Sequence, residues 1–224
     1  MSDHERIVDL THKVALITDI ESLSGYAIAK ALVKAGAQVH GVSPHHDICS
    51  RRIKRLRRWG MAMGHVVDLR NGAAALQFAY QLNEELPRLH VLISNCRIAL
   101  GSSMQNLFAL ASAGRVEVLG EMVLIQELLG SLRDAATTSD PARVVLVGTL
   151  FGDVEPSVDG ASEGGGAQRF GAYARNVATR LKEHRVNVSI FEPGMNQKRG
   201  AGGASGRVRA ASMLLEHLSS GAIA

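Results

Sequence analysis

The chain has 224 residues, 46% of them apolar and 21% charged, a formal net charge of +4, and two cysteines. That is enough to bury the core of one soluble domain, and it leaves a second full domain or a disordered chain unexpected. The N-terminal "MSDHERIVDLTHK" has no apolar signal core, and the longest apolar segment, "VEVLGEMVLIQELLGSL", is broken by Glu117, Glu121 and Glu127, so neither secretion nor a membrane span is expected. Cys49 and Cys96 stand apart, as reduced thiols of a cytoplasmic protein would.

In chain order, short β-branched runs alternate with helical patterns. "KVALIT" is followed by "GYAIAKALVKAG", "AQVHGV" by a basic helix, and "GHVVDL" by "GAAALQFAYQLNEEL". "HVLISN" then precedes a long helix from about Gln105 to Leu132, "RVVLVG" precedes a helix from about Gln168 to Glu183, and "RVNVSIF" follows. The alternation predicts an α/β fold, a Rossmann-like doubly wound parallel sheet of about six strands with helices on both faces. Gly36 and Gly60 are placed to end the first two helices in the left-handed conformation. The whole of 1–224 reads as a single domain, with 1–12 as an N-terminal extension and the Gly-rich stretch 195–206 as a mobile loop.

The basic run "SRRIKRLRRWG" sets Arg51, Arg52, Lys54, Arg55, Arg57 and Arg58 almost side by side, while Ile48, Ile53, Leu56 and Trp59 supply an apolar stripe. A solvated outer face is the bland reading. An acidic partner or carrier protein is the functional one, and nucleic acid is not expected from one short basic helix without interleaved aromatic residues. In "PHHD", His45, His46 and Asp47, with His40 before them, have adjacent histidines that do not suit one ion, so a polar turn is expected and no metal.

Five stretches in order resemble the short-chain dehydrogenase/reductase family, from about Lys13 to Leu218. "KVALIT" through "GYAIAKALVKAGAQV" is similar to its first βαβ unit. "VVDL" is similar to its third strand, with Asp68 where an aspartate faces adenine, and "VLISNCRI" sits at its Asn-Asn-Ala-Gly motif with Asn95 in place. "RVVLVGTLFG" resembles the strand that ends in the catalytic serine, here Thr149, and "RVNVSIFEPG" the strand and Pro193–Gly194 turn beside the nicotinamide. The resemblance implies a cofactor-binding set of Thr18, Ser22, Gly25, Ser43, Asp68, Asn95, Pro193 and Gly194, with NAD or NADP as the cofactor of an active member. Ser43 to His46 carry neither the acid expected for NAD nor an arginine for NADP.

The departures concern chemistry. The family turn Thr-Gly-x-x-x-Gly-x-Gly reads here Thr18, Asp19, Ile20, Glu21, Ser22, Leu23, Ser24, Gly25. Its early glycines let backbone approach a pyrophosphate. Leu23 fills that approach, and carboxylates at Asp19 and Glu21 each disfavour the ligand by on the order of 1 kcal/mol or more unless they turn away.

The family's tyrosine and lysine positions fall on Ser162 or Glu163 and on Gly166 or Ala167, so the acid/base pair is missing. Tyr173 has Val177 four residues on, and "YAIAK", Tyr26 to Lys30, lies on the wrong helix. The family's relay asparagine aligns with Glu117 and the motif glycine with Arg97. Cys96 replaces a motif alanine, and the usual final strand after "SSGAIA" is not expected.

These losses imply a binding or accessory subunit without standard oxidoreductase activity and with no high-affinity cofactor. It would form a homodimer, or a heterodimer with an active reductase of an acyl or polyketide pathway, through the two long helices. The alternatives are an active NAD(P)-dependent oxidoreductase in which Thr149, Glu163 or Tyr173 moves the proton, and a regulatory nucleotide- or nucleic-acid-binding module.

Overall fold

The computed structural model describes residues 8–95, 117–147 and 175–191, together with 211, 213–215 and 218. Six strands form one parallel sheet: β1 (Val14–Ile17), β2 (Gln38–Ser43), β3 (Ala62–Val66), β4 (Val91–Ser94), β5 (Ala142–Val147) and β6 (Val186–Phe191), in the order β3-β2-β1-β4-β5-β6. Every pairing is parallel, with Ala15 opposite Val39 and Val91, and Val145 opposite Ser189. The strand order reverses beside β1, as expected of the doubly wound sheet, and leaves a crevice at the strands' C-terminal ends.

Alternation along the strands divides the core between two faces. Ala15, Ile17, Val39, Ile93 and Val145 pack against α1 (Leu23–Lys34), α2 (His46–Leu56) and the buried Leu214 and Leu218. Leu16, Leu92, Val144 and Leu146 face α3 (Gly72–Glu85), α4 (Glu117–Glu127), α5 (Leu129–Ala135), Val177 and Leu181. Each fully buried Leu or Ile contributes roughly 1.5–3 kcal/mol, so both layers are needed to offset the entropy of ordering the chain. At the opposite end of the sheet from the crevice, Lys13 and Arg143 both pair with Asp140. Among the described residues no helix is long and apolar enough to cross a membrane.

Several boundaries differ from the sequence expectation. The strand expected from "GHVVDL" lies about two residues earlier, because the Asp68 carboxylate accepts the Arg70 N–H at 3.0 Å and turns the chain. Helix α2 ends at Leu56, which leaves Trp59 off the apolar stripe and 39% exposed, while the buried Cys49 joins it. Gly36 is left-handed with φ of 95°, but Gly60 is not. A side chain at Gly60 would meet Val33 Cγ1 at 3.0 Å, so close packing accounts for it.

The long helix breaks at Leu128. There the Asn83 side chain donates to the Glu127 carbonyl at 3.0 Å and accepts from Ser131 at 2.7 Å, bonding one end of each segment. The helix expected to reach Glu183 gives way to a 3-10 turn at Lys182–His184, and Arg185 is left-handed with φ of 57°. The loop 195–206 and the extension 1–7 lie outside the described residues.

Beneath α3, a pair of histidines joins β2 to β3. His40 Nδ1 and His65 Nε2 are 2.9 Å apart, Gln38 is 2.9 Å from His40 Nε2, and Phe78 lies against His65. Burial, then the neighbouring His65, pushes His40 down to about 4 against the opposing field of Glu85. Burial also lowers His65 and His90. In the unfolded chain these rings protonate near 6.5, so below that pH the unfolded state binds more protons and stability is lost as pH falls toward 4. Urea unfolding between pH 7 and pH 5 is expected to show a loss of up to about 1.4 kcal/mol per pH unit for each such histidine. His40→Leu should remove its share of that slope, whatever it does to the absolute stability.

Candidate functional site

The crevice is built from the ends of β1, β2 and β4 and the start of α1. Thr18, fully buried, donates its N–H to the Ile93 carbonyl at 3.1 Å, and its Oγ1 accepts the Asn95 N–H at 2.9 Å, which locks β1 to β4. Asp19 follows with φ of 49°, the left-handed turn for which the family uses glycine. Aspartate tolerates that conformation better than most residues. Ile20 then returns to the sheet, its N–H bonded to Val42.

Ser22 caps α1. Its Oγ accepts from Gly25 N at 3.0 Å and from Asn95 Nδ2 at 3.0 Å, and donates to the Asp19 carbonyl at 3.1 Å. Asn95 Nδ2 also reaches that carbonyl at 3.4 Å. The whole assembly requires Gly25, because a Cβ there would lie 2.2 Å from the Asp19 oxygen and 2.9 Å from Asn95 Nδ2. The surviving glycine of the turn is therefore held by packing of helix against strand ends.

Electrostatics differ from those of a phosphate cradle. The Asp19 carboxylate accepts the Ser22 N–H at 3.3 Å, and the Gly25 N–H is bound by Ser22 Oγ. Two amides at the helix entrance are thus met by the chain's own oxygens. Glu21 turns away toward the end of β2, where its Oε1 accepts from Ser43 Oγ at 2.5 Å, from His45 N at 3.2 Å and lies 2.8 Å from His45 Nδ1. Burial raises this carboxyl, but the bonds from Ser43 and His45 outweigh it and hold it below its ordinary range.

A cleft of about 250 Å³ opens beside these groups, walled by Val42, Val67 and Leu69 and lined by Asp19, Glu21, Asp68 and Glu121. Arg70 is its one arginine among the described residues, bonded to both Asp68 oxygens at 2.8 Å. That bond is the first cause holding Asp68 below the usual carboxylate range. Glu121, 6% exposed, enters from α4. Gly120 beside it lets α4 approach the Leu69 carbonyl, which an added Cβ would meet at 1.9 Å.

Of the residues expected from sequence, Thr18, Ser22, Gly25 and Asn95 form one hydrogen-bonded network, and Ser43 and Asp68 line the same cleft with Asn95. Thr149, Glu163, Tyr173, Cys96, Arg97, Pro193 and Gly194 lie outside the described residues. The histidines of "PHHD" do not converge: His45 turns to Glu21, His46 lies 3.4 Å from Asp47, and His40 belongs to the pair with His65.

The basic run is divided in use. Arg52 donates to the Glu21 carbonyl at 3.0 Å and lies over the Tyr26 ring, and Arg57 donates to the Ala62 carbonyl at 2.9 Å. Arg51, Lys54, Arg55 and Arg58 remain exposed.

Sequence reasoning missed Glu21 as the partner of Ser43 and His45, and it missed Gly120. Glu21 carries no local signal, since its partners are more than twenty residues away. A glycine inside a helical pattern was the available sign for Gly120.

Helices on both faces of a parallel sheet, with a polar crevice at the strand-order reversal, define a nucleotide-binding type of α/β domain. The family model for short chain dehydrogenases matches residues 13–201. The chain belongs to that family. It is 27% identical over 187 residues to the 3-oxoacyl-acyl-carrier-protein reductase of rhamnolipid biosynthesis from Pseudomonas aeruginosa, covering 83% of this chain and 73% of that one.

Among solved structures, the complex of Pseudomonas aeruginosa RhlG with NADP aligns with a TM-score of 0.74 at 23% identity, over 95% of this chain and 91% of that one. An NADH-dependent reductase complexed with NAD aligns at 0.71 and 20%, over 93% and 89%. Such likenesses establish the fold.

A dinucleotide, tested against these residues, fits in part. The apolar walls and Asp68 suit an adenosine. The turn does not suit a pyrophosphate, because Asp19 and Ser22 engage its amides and Leu23 stands 55% exposed at the helix entrance.

Gly25→Ala is expected to destabilise the protein by roughly 1–3 kcal/mol or more, since the clash is with backbone. Gly130→Ala, where nothing lies within 4 Å, should be neutral or stabilising by up to about 1 kcal/mol. Paired urea-unfolding curves check both.

Proposed function

We propose that this short-chain dehydrogenase is a binding or accessory subunit that has lost the family's standard hydride-transfer chemistry and its tight hold on NAD(P), and that it pairs with an active reductase of an acyl or polyketide pathway. The observation that carries the reading is the self-satisfied turn, in which the Asp19 carboxylate and Ser22 hydroxyl take the amides a pyrophosphate would need. The absence from the sequence of the tyrosine and lysine at their expected positions points the same way. The relative's substrate is carrier-bound, and an acidic carrier suits the exposed Arg51, Lys54, Arg55 and Arg58. Pairing, as homodimer or heterodimer, would use the faces that include α4 and the helical residues 175–181, in a single domain of 1–224.

The alternative is an active NAD(P)-dependent oxidoreductase. It is favoured by the relative's reductase activity and places the proton transfer on Thr149, Glu163 or Tyr173. Calorimetric titration with NADH and NADPH separates the two. Dissociation constants of about 1 mM or weaker are expected, and one tenfold tighter would end the claim of lost affinity. Replacing both Asp19 and Leu23 with glycine should tighten NADH binding by at least about tenfold, because it removes the competing carboxylate and opens the approach.

The carrier surface has its own check. Neutralising Arg51, Lys54, Arg55 and Arg58 should weaken binding to an acyl carrier protein and flatten its salt dependence, as read by calorimetry at two ionic strengths. Unchanged affinity would remove the carrier from the proposal.

A further inference from the structure

The residues at the end of β2 and just after it, Ser43 to His46, contain no group that tells a free ribose hydroxyl from a phosphorylated one, yet a carboxylate stands at that spot in space. It comes from the other side of the crevice. Glu21, in the turn before α1, reaches across to the end of β2 and is fixed there by Ser43 Oγ and by the backbone and ring nitrogens of His45. In doubly wound dinucleotide folds an acid at this location bonds the adenosine ribose hydroxyls, and an arginine there accepts a 2'-phosphate.

We infer that Glu21 is the specificity-determining residue of the cleft, admitting adenosine ligands with a free 2'-hydroxyl and rejecting those with a 2'-phosphate. The surrounding charge supports this. Among the described residues the cleft lining holds four carboxylates, from Asp19, Glu21, Asp68 and Glu121, and one guanidinium, Arg70, which is closed on Asp68 by two bonds. Arg52 of the basic helix is directed to the Glu21 carbonyl and the Tyr26 ring and is not part of the lining. A phosphate dianion there would meet the Glu21 carboxylate, a charge of its own sign. A hydroxyl pair would instead meet an acceptor already held in place by its other bonds.

The inference rests on the reading that the adenosine end of the crevice outlasts its pyrophosphate turn, and it opposes the NADP found with the structural relative RhlG. The test uses the full chain, wild type and Glu21→Gln, with adenosine, adenosine 2'-monophosphate, NADH and NADPH, followed by ligand-observed NMR and calorimetry. Wild-type protein is expected to bind adenosine and NADH at least tenfold more tightly than the 2'-phosphorylated counterpart of each. Glu21→Gln should narrow both gaps to about threefold.

Should that variant fail to fold, salt supplies the second measurement. Raising ionic strength to about 0.5 M should narrow the wild-type gap, since charge repulsion is screened. Equal or tighter binding of the 2'-phosphorylated ligands overturns the inference. So does a gap unchanged by both Glu21→Gln and salt, or no binding of any of the four up to 20 mM. Micromolar NADH binding with NADPH excluded would sustain this inference while ending the reading of lost cofactor affinity. Weak binding of both with a preference for the 2'-phosphate would do the reverse.

Discussion

Much of the crevice depends on one close approach, that of the first turn of α1 to the carbonyl of Asp19. Gly25 permits it, and Ser22 and Asn95 hold it by converging on the same oxygen. Because Asn95 directly follows β4 and Thr18 directly follows β1, the contact sets the separation of two central strands as well as the direction of the helix. A side chain at Gly25 would have to push apart backbone on one side and an amide on the other. Close packing of this kind is stringent, and it explains why this position keeps its glycine when the turn's earlier ones are gone.

Residues that serve architecture and residues that serve chemistry have parted company in this chain. Thr18, Ser22, Gly25 and Asn95 each complete a hydrogen bond or a fit that the folded sheet needs. The positions of the turn whose family role is to leave backbone bare, Asp19 and Leu23, now carry side chains. Asp19 even keeps the left-handed conformation that glycine would have taken, so the path of the chain has outlived the residue type suited to it. Its carboxylate, which accepts the Ser22 N–H, gives the turn an internal anion.

The fold was legible in the sequence because strand and helix periods repeat through the whole chain. Val14 to Ile17 and Val144 to Val147 are apolar on both faces, and that pattern alone implies a covered parallel sheet. Boundaries were less legible where side chains decide them at a distance. Nothing near Leu128 announces the helix break, since Asn83, more than forty residues earlier, supplies the competing bonds. The end of β3 depends on an aspartate that reads equally well as the close of a strand or the start of a turn. The candidate site is legible as a set of positions, but in the sequence Glu21 is only a charge near a phosphate-binding turn. Its actual place at the end of β2 is a fact of three dimensions that no local pattern carries.

Trp59, the chain's single tryptophan, lies beyond α2 at the edge of the sheet remote from the crevice, with Lys30 Nζ 4.4 Å and Lys34 Nζ 5.7 Å from its ring centre. Its emission is therefore a built-in optical probe of the basic surface formed by α1 and α2. An anionic macromolecule drawn to that surface would compete for the two ammonium groups and change the ring's surroundings. A small molecule confined to the crevice would leave them as they are, so one native fluorophore distinguishes occupancy of the two regions without any label.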